Sequence, residues 1–320
     1  MKHTRLALIA AIATAAVWSC RKDETSEAST TVTPVGTHSF ASYFASNIAD
    51  ATQTFSLSAA AGGERIGAKG TRLIFEPGAF VHADGTPVTG SVTVSLVEVL
   101  TVGDMIRLNK QTVGDDNGTL RLLVSGGAIN VYAEQGGNEV QVTPGGLIAR
   151  IPTDVADPAM TLFSGREDAQ GNMIWDPIDS AIIDTDPTYY DSTEYTFPYY
   201  FYYLLNPPGF NWINCDYVWN ASSMTTITAT PPSGSSTDST LVWIAFPTIN
   251  SVTSMYLNGS GGWNSFQIPV GISATVIGLR EGENGYLSTF QDITVTNSMV
   301  VPLVFTPTTL DDFEQALDGL

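Results

Sequence analysis

Cysteine, histidine, basic residues and long apolar runs are all scarce in this 320-residue chain. Its two cysteines are Cys20 and Cys215. If Cys20 is engaged elsewhere, no internal disulfide can close and the fold must rest on its core. Histidine occurs three times, at His3, His38 and His82. That excludes a His-rich metal centre and leaves Ser- or Cys-based acyl transfer without its usual base, and no Gly-x-Ser-x-Gly turn is present to hold a nucleophile. Thirteen Lys and Arg stand against 32 Asp and Glu, a formal net charge of −19. A chain of that sign repels nucleic acid and anionic lipid, which both require clustered cations. The apolar run at residues 6–17, broken only by Thr14, falls well short of the roughly twenty residues that cross a bilayer as a helix. No repeat with the period of a propeller blade or solenoid is present.

That short apolar run has a setting. Lys2 and Arg5 precede it and Ser19-Cys20 closes it, the layout of a secretory signal. Val17-Trp18-Ser19-Cys20 resembles the bacterial lipobox, with Trp18 departing from the small or β-branched residue usual there. The resemblance implies that residues 1–19 are removed and that the Cys20 thiol carries diacylglycerol, giving the protein a membrane partner through a lipid anchor. An ordinary signal peptide with a chance cysteine is the alternative. Lys22, Asp23 and Glu24 resemble the export signal that sends lipoproteins of Bacteroidota to the outer face of the outer membrane. As a plain solvated charge cluster they would leave the periplasmic face open. Loss of Lys2 and Arg5 from the 13 basic residues leaves 11 against 32 acidic ones, a net charge of −21.

Residues 20–38 are rich in Ser, Thr and Glu and read as a flexible tether. The hydrophobic content of 43% with only 14% charged residues marks the remainder as globular. Phe40, Tyr43, Phe44 and Ile48 follow helical spacing. From Thr54 onward, short alternating runs are cut by Gly, Pro and Asp-Gly, as in Val92, Val94 and Leu96, which share one face. The expected fold class is all-β: two β-sandwich-like units in tandem with a short C-terminal helix. The first unit spans 39–153. A connector follows at 154–194, with a hairpin around Gly171-Asn172, and the second unit runs from 195 to 320. Thr309 is placed to cap a final helix whose Leu310, Phe313 and Leu317 share a face, with Asp311 and Asp312 in its first turn.

Gly70-Thr71-Arg72-Leu73-Ile74-Phe75-Glu76-Pro77-Gly78-Ala79-Phe80, then Gly90-Ser91-Val92, then Leu122 with Ser125-Gly126-Gly127, resemble the ZU-type β-sandwich over roughly residues 55–152. That domain is shared by zonula occludens proteins, netrin receptors and ankyrins, where it is a protein-interaction and structural module. The chain is also similar to uncharacterised lipoproteins of Bacteroidota with the same opening. Some relatives cut their own chain at His-Phe-Ser. Here His38-Ser39-Phe40 is scrambled and upstream, so that activity is not implied.

The aromatic segment is the most unusual local feature. Tyr195, Phe197, Tyr199, Phe201 and Tyr203 alternate on one strand face, and Tyr200, Tyr202, Trp212 and Trp219 could form a platform that stacks on sugar rings. The same residues serve equally as core and packing surface. Cys215, between Asn214 and Asp216, reads as a buried small hydrophobe, since no histidine lies near it in the chain. Asp115-Asp116-Asn117-Gly118 and Asp184-Thr185-Asp186 offer oxygens for calcium but fit no EF-hand loop, and the first reads equally as a turn. Glu98 lies inside an apolar strand, so it is either paired in the core or near a site. Ser180, Ser192 and Ser239 follow Asp in stretches read as loops and resemble O-glycan acceptors of Bacteroidota. No catalytic residue, metal ligand or cofactor is expected. The expected function is that of a lipid-anchored cell-surface binding or structural protein without catalysis, its partner an envelope protein or a glycan. The alternatives are a glycan-binding lipoprotein using the aromatic platform and a secreted glycosidase using carboxylates.

Overall fold

The computed structural model describes residues 40–153, 157–168, 171–178, 182–188 (backbone), 199–205 (backbone), 212–233, 237 and 239–320. Its centre is an eight-stranded sheet ordered Gln53–Ser58, Ser91–Val99, Thr119–Gln135, Trp212–Val218, Thr161–Glu167, Met173–Pro177 and Val113–Asp116, with Asn138–Glu139 at the end of the long strand. The order returns on itself, because Val113–Asp116 pairs with both Met173–Pro177 and the start of Thr119–Gln135. Trp175 is fully buried beside this closure and donates its indole N–H to the Gln111 carbonyl at 2.7 Å. Gly165 has no room for a side chain, since a Cβ there would lie 2.7–2.9 Å from Met173 Sδ, Trp212 Cβ and Trp175 Cζ3.

The long strand Thr119–Gln135 changes faces partway. Asn214 pairs with Ala128 and Asp216 with Ser125, so the long strand carries one extra residue, a bulge at Gly126-Gly127. One extra residue flips the alternation of inward and outward side chains. Leu123, before the bulge, therefore packs in a different core from Ile129, Val131 and Ala133 beyond it. Gly127 adopts φ 116°, and a Cβ there would meet Leu100 and Ile151 side chains at 2.8 and 3.2 Å.

Three apolar cores follow. The first lies between the central sheet and a five-stranded sheet ordered Ile182–Thr188, Tyr199–Leu205, Leu147–Thr153, Arg72–Phe75 and Gly63–Ile66. A third sheet runs Ser251–Ser254, Thr240–Phe246, Ser273–Gly282, Gly285–Thr294 and Thr306–Thr308. One of its faces, with Val242, Ile244 and Phe246, packs on a four-stranded sheet carrying Ala229, Trp263 and Val301. The opposite face, with Trp243, Ala245, Ile277 and Leu279, closes the remaining core against the central sheet.

Three helices among the described residues seal that core: α1 (Ala41–Ala51), α2 (Val102–Arg107) and α3 (Leu310–Leu317). α1 and α3 match the sequence pattern. Thr309 Oγ1 accepts the Asp312 N–H at 3.0 Å, and Phe313 and Leu317 are buried. α2 was not anticipated; it starts on a capping box in which Thr101 and Asp104 satisfy each other's backbone N–H. Arg107 ties the helices together, reaching the Glu314 carbonyl at 3.1 Å and Asp318 at 2.6 Å, while Tyr43 donates to Glu314 at 2.9 Å and Asn47 to the Arg107 carbonyl at 3.1 Å.

The all-β class holds, with sandwich-like sheets and the C-terminal helix in place. The expected hairpin at Gly171 is also present, but it is not part of a connector, because Thr161–Glu167 bonds to Trp212–Val218 in the central sheet. Nor do the sheets divide at 195. Tyr199–Leu205 pairs with Leu147–Thr153, and Trp212–Val218 pairs with the long strand and points Ile213 and Cys215 into the first core. The physical reason is that both faces of the central sheet are apolar and recruit strands from far along the chain. Asp184 and Asp186 sit on the strand Ile182–Thr188 rather than on a loop.

Phe313 is 1% exposed, and its ring meets those of Trp243 and Phe290 in tilted contacts, 6.5 and 5.6 Å between centroids. Phe313→Ala is expected to destabilise the protein by about 3–5 kcal/mol, measured by urea unfolding.

A candidate ligand groove and the buried acids that shape it

A groove of about 880 Å³ opens where the three main sheets meet, within the range of about 300–1,000 Å³ typical of small-molecule sites. One wall is the turn carrying Lys69, another the approach to α2 at Leu100 and Thr101, and a third the turn 247–250. Its floor is the bulge at Ser125 and Gly126 together with Tyr217 and Trp219, and Asp157 stands on the rim.

Three buried acids support these walls from behind. Glu98 is 2% exposed. Its Oε1 accepts the Thr71 N–H, and its Oε2 accepts the Lys69 N–H and Gln53 Nε2, each at 2.9 Å. Gly67 completes the cradle, since a Cβ there would lie 2.6 Å from Oε2. Asp104 accepts the Leu100 and Thr101 N–H groups at 3.0 and 3.1 Å and pairs with Lys69 Nζ and Arg107. Asp216 is fully buried behind the bulge, with Asn214 Nδ2 donating to its Oδ2 at 2.5 Å and its Oδ1 making no hydrogen bond. Burial pushes its pKa well above the carboxylate range, outweighing Ser125, Asn214 and the Gly126 amide, which favour the charged form. Ser125 Oγ accepts the Gly127 N–H at 3.1 Å and so braces the bulge itself.

Of the expected platform, Trp212 and Trp219 are not brought together. Trp212 belongs to the core under the helices, and its ring face is covered by Lys110 Nζ, 4.9 Å from the centroid. Burial lowers the Lys110 pKa and the charge of Glu167 opposes that shift. Trp219 packs on a different core and lines the groove. Tyr200 and Tyr202 lie on the strand Tyr199–Leu205. Tyr217, within the aromatic run but outside the expected platform, lines the groove with Asp157, which no sequence signal marks; the alternation of Tyr217 with Trp219 is the signal for the first. Cys215 is fully buried and its thiol is pushed well above its usual pKa, first by burial and then by Asp216. Asp115 belongs to a hairpin turn, accepting the Gly118 N–H at 2.6 Å and pairing with Arg166 at 2.9 Å. Among the described residues no group of three or more His, Cys, Asp or Glu could hold a metal. Ser239 is half-buried in a left-handed turn with φ 54°, its carbonyl accepting the Glu281 N–H at 3.0 Å. Cys20, Lys22, Asp23, Glu24, Ser180 and Ser192 lie outside the described residues.

Glu98→Gln would turn an amide N–H₂ toward an N–H donor whichever way it is flipped. It is expected to lower stability by about 1–3 kcal/mol, measured by denaturant midpoint. Asp216 gives a pH signature. An unfolded Asp titrates near 3.8, and the native carboxyl titrates well above that, so the folded state holds the extra proton. Stability should fall as pH rises from the unfolded value toward the native one. Asp216→Asn should flatten that slope and raise the melting temperature at neutral pH, read from melts between pH 4 and pH 8.

No family model matches the chain, and no curated protein does. Among solved structures it is similar to a gamma-CGTase from alkalophilic Bacillus clarkii at 10% identity, over 76% of this chain and 41% of that one, with a TM-score of 0.20. That superposition is too loose to carry fold or activity from one to the other.

Proposed function

We propose that this chain is a lipid-anchored cell-surface protein that binds its partner in the groove and performs no catalysis. One observation supports this reading above the rest. Glu98, Asp104 and Asp216 all accept hydrogen bonds behind the groove walls, and among the described lining residues Asp157 is the single carboxyl, with no second carboxyl across the groove. An acid that shapes a wall is poorly placed to protonate a leaving group, which a catalytic carboxyl must reach within hydrogen-bonding distance. The ZU-type resemblance over residues 55–152 agrees with an interaction module. The anchor rests on Lys2, Arg5, the apolar run and Ser19-Cys20, and surface display rests on Lys22, Asp23 and Glu24. No described helix is long and apolar enough to cross a membrane.

Radiolabelled palmitate should enter the wild-type protein and be absent from Cys20→Ala, and protease added to intact cells should remove the displayed domain. Equal labelling of the two proteins would sink the anchor, and protection from protease would assign the periplasmic face. A photo-crosslinker at exposed Thr248, on the groove wall, should trap an envelope component that the same group at Tyr132 does not. Identical crosslinks from both positions would remove the groove from the reading. Polysaccharide cleavage by the purified protein that is lost in Asp157→Asn would replace it with the hydrolase alternative.

A further inference from the structure

Tyr217 and Trp219 are two positions apart, and the ladder continues past the strand end because the Trp219 N–H donates to the Leu122 carbonyl at 2.9 Å. At the rise of a strand, i and i+2 side chains stand on one face about 7 Å apart. Both are partly exposed and both line the groove. Two neighbouring aromatic rings on a concave floor suit a flat ligand with an apolar face, as the C–H faces of a pyranose are.

The polar lining fits the rim of such a ring. Thr248 is an exposed hydroxyl that both donates and accepts, Thr101 Oγ1 accepts the Asp104 N–H and keeps its own proton to donate, and Asp157 adds a carboxylate whose Oδ1 accepts the Ala159 N–H at 2.9 Å. Burial and the charge of Asp157 push the Tyr217 hydroxyl above its ordinary pKa, so it stays a donor. Lys69, the one cation among the described lining residues, is already paired with Asp104. With the chain at −19 overall, a polyanion finds no free positive charge here and is repelled at long range. Asn250 adds rigidity. Its Nδ2 donates to the Leu100 and Ser125 carbonyls at 2.9 and 3.1 Å, so the third sheet's turn is fixed to the wall and floor before any ligand arrives, and preformed walls lower the ordering cost of binding.

We propose that the groove binds a neutral saccharide, stacked on Tyr217 and Trp219 and hydrogen-bonded by Thr101, Thr248 and Asp157. This rests on the groove being the binding site. The test uses the full chain in detergent and follows intrinsic tryptophan fluorescence and calorimetry. The probes are neutral oligosaccharides of glucose, mannose and N-acetylglucosamine, with a uronate polymer and a sulfated polymer as anionic probes. At least one neutral series should bind and shift the tryptophan emission, and the anionic probes should not. Trp219→Ala should weaken that binding by about tenfold. Thr248→Trp changes an exposed residue and fills the groove without touching a core, so it should abolish binding while the melting temperature holds. Tyr132→Ala, an exposed aromatic outside the groove, should bind as wild type does. The inference fails if no neutral series binds, if only the anionic probes bind, or if folded Trp219→Ala or Thr248→Trp binds as tightly as wild type. Crosslinking at Thr248 to an envelope protein, with no neutral saccharide bound, would overturn the saccharide and leave the binding role standing.

Discussion

One strand serves three cores. Thr119–Gln135 gives Leu122 to the core of the third and fourth sheets, Leu123 to the core under the helices, and Ile129, Val131 and Ala133 to the first sandwich. It can do so because the bulge at Gly126-Gly127 inverts its alternation midway. Strands far apart in sequence then have an apolar surface to join on either side. Every larger assembly here depends on that inversion, including the groove, whose floor is the bulge.

The same inversion accounts for the buried polar groups. A bulge leaves backbone N–H and C=O groups outside the ladder, and buried groups of that kind need partners. Ser125 Oγ accepts the Gly127 N–H and Asn250 Nδ2 donates to the Ser125 carbonyl. Glu98 and Asp104 do equivalent service for the loops beside it. Low charge elsewhere in the interior goes with this arrangement, since a carboxylate is tolerated in the core only where several donors converge on it.

The all-β class, α1, α3 and the hairpin at Gly171 were legible because each depends on short-range signals: helical spacing at Phe40, Phe44 and Ile48, a cap at Thr309, and turn chemistry at Gly171. Glu98 was legible as an anomaly, an acid amid Val97 and Val99, although its three donors come from residues 27 to 45 positions away. The division of the sheets was not legible. Ile213 and Cys215 are apolar whichever core they enter, and nothing in 212–218 records that its partner is the long strand. The separation of Trp212 from Trp219 has a local cause. Trp219 continues the ladder one residue past the strand Trp212–Val218, and its odd spacing from Trp212 puts the two on opposite faces. Tyr217 and Trp219 have the even spacing that places both at the groove.

The contact between α1 and α3 also bears on how the molecule is made. Tyr43 and Glu314 are separated by 271 residues, so α1 gains this partner only when α3 exists, although Asn47 already meets the Arg107 carbonyl at the end of α2. During synthesis from the N-terminal end, Phe40 and Phe44 meet Val97, Val99 and Met105 early, while the ring contact of Phe40 with Tyr286 waits for most of the described chain. The contact between α1 and α3 therefore forms late, and a long loop must be closed to reach it. The three-helix seal is thus assembled in two stages, α1 on α2 first and α3 over both afterwards.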